Sequence, residues 1–338
     1  MVFCITLGTI NKYIAFPLIG GVFKFIAELL LFNSGAKIYN HPFILGINSG
    51  LGMCLCFFPF ILEKIISKPL KKEDSNNEKN EQIKPAQIGK YSQHFNKKKI
   101  YKYLLILAAC ILDFLQRFIT FYFVDDIESN FWIFDIFFLS LFSYFILKTK
   151  LYIHQYVSLL GIIILGVTLN IIILHDKNPT FKSILIVFSV EITYTFNIVL
   201  NKLAIDKFFC SPFEISFCEG FFALILNIIL LVFTKKDNFS DYYNNLDSKE
   251  IWKFIILMLS RLSFNIFGLL TIKYFTPSHV AILLIIGEIS FSFKYKKDYI
   301  LYLTIVIFCF LLFMLLVFTE IIELNFCKLQ EYTKKKYN

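Results

Sequence analysis

Nine stretches of this chain are apolar at or near the length needed to cross a bilayer, and that narrows what it can fold into. They are Phe43–Leu62, Tyr103–Val124, Phe131–Leu147, Tyr156–Leu174, Ile184–Ala204, Phe213–Phe233, Ile251–Phe275, Val280–Phe293 and Ile300–Ile322. A spanning helix takes roughly 20 apolar residues. Inside hydrocarbon every backbone N–H and C=O must find its partner within the segment, so each stretch reads as a helix. Val280–Phe293 is short, and Thr276–Ser278 can extend it. Of 338 residues, 57% are hydrophobic and 17% charged, whereas a soluble domain carries about half and a quarter. These values exclude a soluble globular enzyme, a disordered chain and a collagenous one.

A tenth helix fits ahead of the nine. Val2–Phe32 is mostly apolar but carries Asn11, Lys12, Lys24 and Glu28. Either one helix runs over Tyr13–Phe32, with Lys24 and Glu28 paired one turn apart, or a shorter helix ends near Phe16 and an interfacial stretch follows. No basic residue precedes the apolar Val2–Ile10, which is therefore not a typical secretory signal. The polar segment Glu63–Lys102 reads as a flexible loop.

The net charge of +9 resides in lysines between the apolar runs, where they set topology and meet anionic headgroups. Nucleic acid is not expected as a partner. With ten helices, 21 loop and tail lysines fall on one side and 10 on the other. The richer side is expected to be cytoplasmic, which places both termini there. The usable glycan acceptor, Asn238-Phe239-Ser240, then lies on the opposite side. The eight cysteines show no metal spacing and read as small apolar helix residues.

Two stretches resemble one another: Phe137–Val167 and Leu283–Phe313. Each is an apolar helix end with interspersed Ser and Phe, a Lys-bearing turn, an aromatic restart and a further apolar helix. Against chance similarity in an Ile- and Phe-rich chain, they read as helices four and five of each half. Five helices per half is an odd number, so the repeat would be inverted, an architecture that recurs in secondary transporters.

Ionisable and amide side chains at membrane depth are expensive, and they usually face a cavity or a partner. Asp113 and Arg117 lie one turn apart on the third helix. They read equally as an internal ion pair or as a charged cavity wall. Asp135 is near enough to its helix end to reach the interface. Asn197 and Asn201 share a face of the sixth helix, with Glu191 and Tyr194 nearby. Glu219 lies deep in the seventh helix beside Gly220. Arg261 and Asn265 are one turn apart on the eighth, with Glu288 of the ninth as a candidate partner for Arg261. A carboxylate such as Glu219 or Glu288 could carry a coupling proton. His279 reads as an interfacial histidine rather than an anion site. No phosphate-binding loop, HExxH, GxSxG or DxD motif occurs. Neither catalysis nor a cofactor is therefore expected.

Short motifs in consistent order suggest a family. They are Gly8-Thr9-Ile10-Asn11, His41-Pro42-Phe43, Cys110–Asp113, Leu141-Phe142-Ser143 with Lys148–Leu151, Ser211-Pro212-Phe213 with Glu219-Gly220-Phe221, and Phe264-Asn265 through Lys273. On these the chain resembles the drug/metabolite transporter superfamily. Within it, the chain is most similar to the F branch of the solute carrier 35 family, near the group around its sixth member. The likeness runs from Gly8 to about Phe313. It departs at Gly52-Met53, where a Gly-Glu pair is usual. It departs again around Phe134–Phe137, which lacks an arginine, and at Ser278-His279-Val280.

The resemblance implies an all-α polytopic membrane protein of about ten transmembrane helices, arranged as two inverted five-helix repeats. Residues 1–175 form the first half, with 63–102 as its cytoplasmic loop, 181–324 the second half, and 325–338 a cytoplasmic tail. It also implies that Gly20–Asn40 lies largely outside the bilayer. The expected activity is alternating-access transport of a small polar metabolite, nucleotide-sugar-like or otherwise, across an endomembrane. A non-transporting membrane scaffold or receptor is the alternative. Asp113, Asn197, Asn201, Glu219 and Asn265 are the expected cavity-lining groups. The expected partners are a small-molecule substrate and the lipid bilayer, and a homodimer is compatible with the sequence.

Overall fold

The computed structural model describes residues 4–7, 12–33, 42–66, 85–123, 133–174, 181–234, 248–292 and 298–325. Its α-helices are α1 (Ala15–Asn33), α2 (Pro42–Cys54), α3 (Pro85–Phe123), α4 (Ile133–Phe142), α5 (Ile153–Leu174), α6 (Phe181–Phe208), α7 (Pro212–Thr234), α8 (Ser248–Tyr274), α9 (Val280–Ser292) and α10 (Asp298–Phe318). After a tight turn α2 resumes over 57–66. Proline opens α2, α3 and α7, the helical position where its missing N–H costs nothing. Among the described residues six helical stretches are long and apolar enough to cross a membrane, and three shorter apolar helices accompany them. This fits a multi-pass membrane protein. So do the large apolar side chains facing outward, such as Phe181 at 76% and Phe233 at 79% exposure, which in water would form a costly surface.

Two apolar clusters hold the bundle. One joins α4, α5, α9 and α10 through Ile136, Ile162, Ala281, Ile285, Leu311 and Leu315. The other joins α3, α6, α7 and α8 through Cys110, Val199, Ile215 and Leu269. α1 packs between α8 and α9, and α6 packs between α3 and α4. α2 lies against α7 and α8, while α7 also meets α3. α5 packs on α10, α4 on α5, and α9 on α10. α2 and α7 touch at bare backbone: a β-carbon on Gly220 would sit 3.0 Å from the Gly50 carbonyl oxygen, and one on Gly50 would sit 3.1 Å from that of Gly220.

Polar links collect at one end of the bundle. Lys102, near the start of the apolar part of α3, pairs with Glu214 of α7 at 2.8 Å, and Ser211 donates to Glu63 on the resumed stretch of α2. Lys202 of α6 pairs with Asp206 at 3.0 Å and donates to the Ile272 carbonyl of α8 at 2.9 Å. His154 of α5 meets Glu320 after α10 at 3.3 Å. Tyr13, just before α1, stacks on Tyr274 at 4.0 Å. A short antiparallel pairing, β1 (Cys4–Leu7) with β2 (Ile322–Asn325), joins the two ends of the described chain.

Three expectations are corrected. Of the two readings of the N-terminal stretch, the helix ending near Phe16 is overturned and the longer one is present: it runs Ala15–Asn33, close to Tyr13–Phe32, and Gly20, Gly21 and Ala27 are buried, the two glycines against α8 and α9. The loop expected over Glu63–Lys102 is helical to residue 66 and again from Pro85. From Pro85 onward Ala, Gln, Lys and Tyr continue into α3 with no internal proline, so an existing helix is extended at no nucleation cost. Asp135 does not reach the surface. It is 1% exposed, on the stretch of α4 that packs on α6. The glycan triplet at Asn238 lies outside the described residues.

The turn after α4 stores strain. A π-helical segment, Ser143–Leu147, ends in Lys148 at φ 57°, where the Lys148 N–H reaches the Ser143 carbonyl. A non-glycine residue pays roughly 1–2 kcal/mol for a left-handed backbone. Lys148→Gly is therefore expected to raise stability by about 1 kcal/mol, read as a higher melting temperature of the detergent-solubilised protein.

Candidate functional site

Lys102 marks where the polar first part of α3 gives way to its apolar part. Asp113 lies about 16 Å deeper at 1.5 Å per residue, roughly halfway through a hydrocarbon core of about 30 Å. At this depth the bundle interior is polar. Arg117 closes on Asp113 from one turn away, with Nε donating to Oδ1 at 3.1 Å and to Oδ2 at 3.0 Å, and Nη2 donating to Oδ1 at 3.0 Å. Its Nη1 donates to Ser49 of α2, and its Nη2 also approaches the Met53 sulfur at 3.6 Å. Of the two readings of this pair, the ion pair is present, and it also reaches across to a neighbouring helix.

Met53 links onward. Asn265 of α8 donates to its sulfur at 2.7 Å and to the Ser216 hydroxyl of α7 at 3.1 Å. The Cys56 thiol donates to the same hydroxyl at 3.2 Å. On α7, one turn beyond Ser216, Glu219 is 1% exposed. Asn201 donates to Glu219 Oε1 at 2.9 Å and Asn197 to the same oxygen at 3.3 Å. The asparagines share a face of α6 and are 3% and 6% exposed. Asp113 and Arg117 both act electrostatically on Glu219.

All five candidate residues thus fall in one polar layer assembled from α2, α3, α6, α7 and α8. Arg117, which bridges α3 to α2, belongs to the same layer, as do Ser49, Met53, Cys56 and Ser216, four residues that the sequence does not single out. The two serines stand at different distances from Pro42-Phe43 and Pro212-Phe213, and no sequence signal marks them. His279 stays out of the layer. It is buried near the α9 start, 3.0 Å from Thr276 Oγ1 and stacked on Phe275. The side chain of Glu288, the candidate partner of Arg261, lies outside the described residues. Among the described residues no group of His, Cys, Asp and Glu has metal-holding geometry.

No protein-family model matches the chain, and no curated protein matches it either.

Proposed function

We propose that this chain is a secondary transporter of a small polar metabolite, built as two inverted five-helix halves and working by alternating access across an endomembrane, with both termini cytoplasmic. The observation that carries this reading is the buried polar layer, drawn from α2 and α3 of one half and α6, α7 and α8 of the other. Buried polar groups at membrane depth are retained where they contact a solute or a coupling ion, and in transporters of this architecture such sites lie at the repeat interface near the midplane.

The packing partners support the two-half reading. Moving every helix five places along the chain turns α1 between α8 and α9 into α6 between α3 and α4. The same move turns α2–α8 into α7–α3 and α4–α5 into α9–α10, and it maps α2–α7 and α5–α10 onto themselves. Pro42-Phe43 with Gly50 and Pro212-Phe213 with Gly220 sit at matching positions of α2 and α7. The order of motifs shared with the solute carrier 35 family agrees, and nucleotide sugars are the first substrates to try.

The test is counterflow in proteoliposomes loaded with metabolite pools. Exchange of at least one pool is expected, and it should fall to the protein-free level in the Asp113→Asn/Glu219→Gln double variant. Unchanged exchange in that variant would defeat the site assignment. No exchange from any pool by well-folded protein would favour the scaffold reading.

A further inference from the structure

Glu219 is a carboxylate without a counter-charge. Arg117, the nearest cation that acts on it, is committed to Asp113 by three hydrogen bonds and to Ser49 by a fourth. With all three groups ionised, Asp113, Arg117 and Glu219 sum to a charge of minus one in a water-poor interior. An uncompensated charge there costs several kcal/mol.

The remaining titratable or charged groups around Glu219 do not cancel it. α2 offers Cys56, α3 offers Cys110, α7 itself offers Cys218, and α6 brings Tyr194 against Arg117, while Glu214 and Lys102, which act on Cys218, are paired with each other. The cysteines and the tyrosine are neutral or acidic. Arg261 of α8 stands one turn from Asn265 and has an interaction of its own.

The amides beside Glu219 show the same deficit. Asn197 and Asn201 both spend their NH2 groups on one oxygen, Oε1. Their own carbonyl oxygens, Oδ1 in each case, are buried with no hydrogen-bond partner. Buried acceptors are ordinarily satisfied. Two orphan amide oxygens on the side chains that hold a buried carboxylate leave this part of the layer rich in oxygen acceptors and short of a positive partner.

We propose that Glu219, with Asn197 and Asn201, forms the coupling-cation site of the transporter and takes one monovalent cation, a proton or a sodium ion. This rests on the transport reading given above. It separates the layer into a cation end on α6 and α7 and a solute end at Asp113, Arg117 and Asn265. Hard monovalent cations are held by carboxylate and carbonyl oxygens, and a proton on Glu219 removes the same unpaired charge.

Two direct readouts on the purified full-length protein decide the matter: equilibrium binding of radioactive sodium, and infrared absorption of protonated carboxyl groups through a pH titration. For a sodium site, saturable binding is expected that acid weakens, that Glu219→Gln abolishes and that Asn197→Ala/Asn201→Ala weakens. For a proton site, sodium does not bind, and a carboxyl band that titrates with pH is missing from Glu219→Gln. No sodium binding together with no titrating band assigned to Glu219 would overturn the proposal. Should Glu219→Gln fail to fold, the paired asparagine variant decides, because loss of the oxygen ligands must weaken sodium binding or shift the carboxyl titration. Neither readout needs a known substrate, so a failed counterflow screen leaves it standing. Counterflow that ignores both pH and sodium gradients would remove the coupling role and spare the transporter.

Discussion

Arg117→Ala is expected to destabilise the folded protein by about 3–5 kcal/mol, the cost of stripping one partner from a buried ion pair. The substitution leaves the Asp113 carboxyl, 6% exposed, without its guanidinium partner, and it cuts the link from α3 to Ser49 of α2. The measurement is thermal unfolding in detergent, where the melting temperature should fall sharply. The double variant Asp113→Leu/Arg117→Met removes both charges together and should recover most of the loss, since apolar replacement of a buried pair is often neutral. An Arg117→Ala protein that melts like the parent would mean that the pair contributes nothing to holding α3 against α2.

Gly220→Leu should do comparable damage by a different route. At this crossing a β-carbon would lie 3.0 Å from both the Gly50 carbonyl oxygen and the Cys54 nitrogen. Those are backbone atoms with no rotamer to yield, so α2 and α7 must separate, at about 3 kcal/mol. Gly268→Ala is the contrasting case. Nothing lies within 4 Å of its would-be β-carbon, and the change should stabilise α8 by roughly 0.8–1 kcal/mol through helix propensity alone. Monodisperse yield and melting temperature, measured side by side, would check both.

Some of this could be read from the residues because hydrocarbon is a strict solvent. It forces apolar runs into helices, and the observed spans follow the runs closely. It also makes Asp113, Asn197, Asn201, Glu219 and Asn265 stand out, since few amides or carboxylates are tolerated at that depth. Other features depend on neighbours. Asp135 lies one turn from a helix end, which suggests an escape to the interface, but what packs over that turn decides its burial. Ser49 and Ser216 look like ordinary helix serines until the facing of α2 and α7 turns them toward Arg117 and Asn265. The helical extension from Pro85 was hidden because polarity alone suggested a loop, whereas helix propensity and attachment to α3 governed the outcome.

Among the described residues, ion pairs stand at one end of the bundle, where they tie helix ends together. Lys102–Glu214 and Lys202–Asp206 are partly exposed pairs, so dissolved salt weakens them while leaving the greasy seams alone. Raising ionic strength in the compartment bathing that end alone would loosen it selectively. The orientation of reconstituted molecules could then be tested by which bath has to be changed.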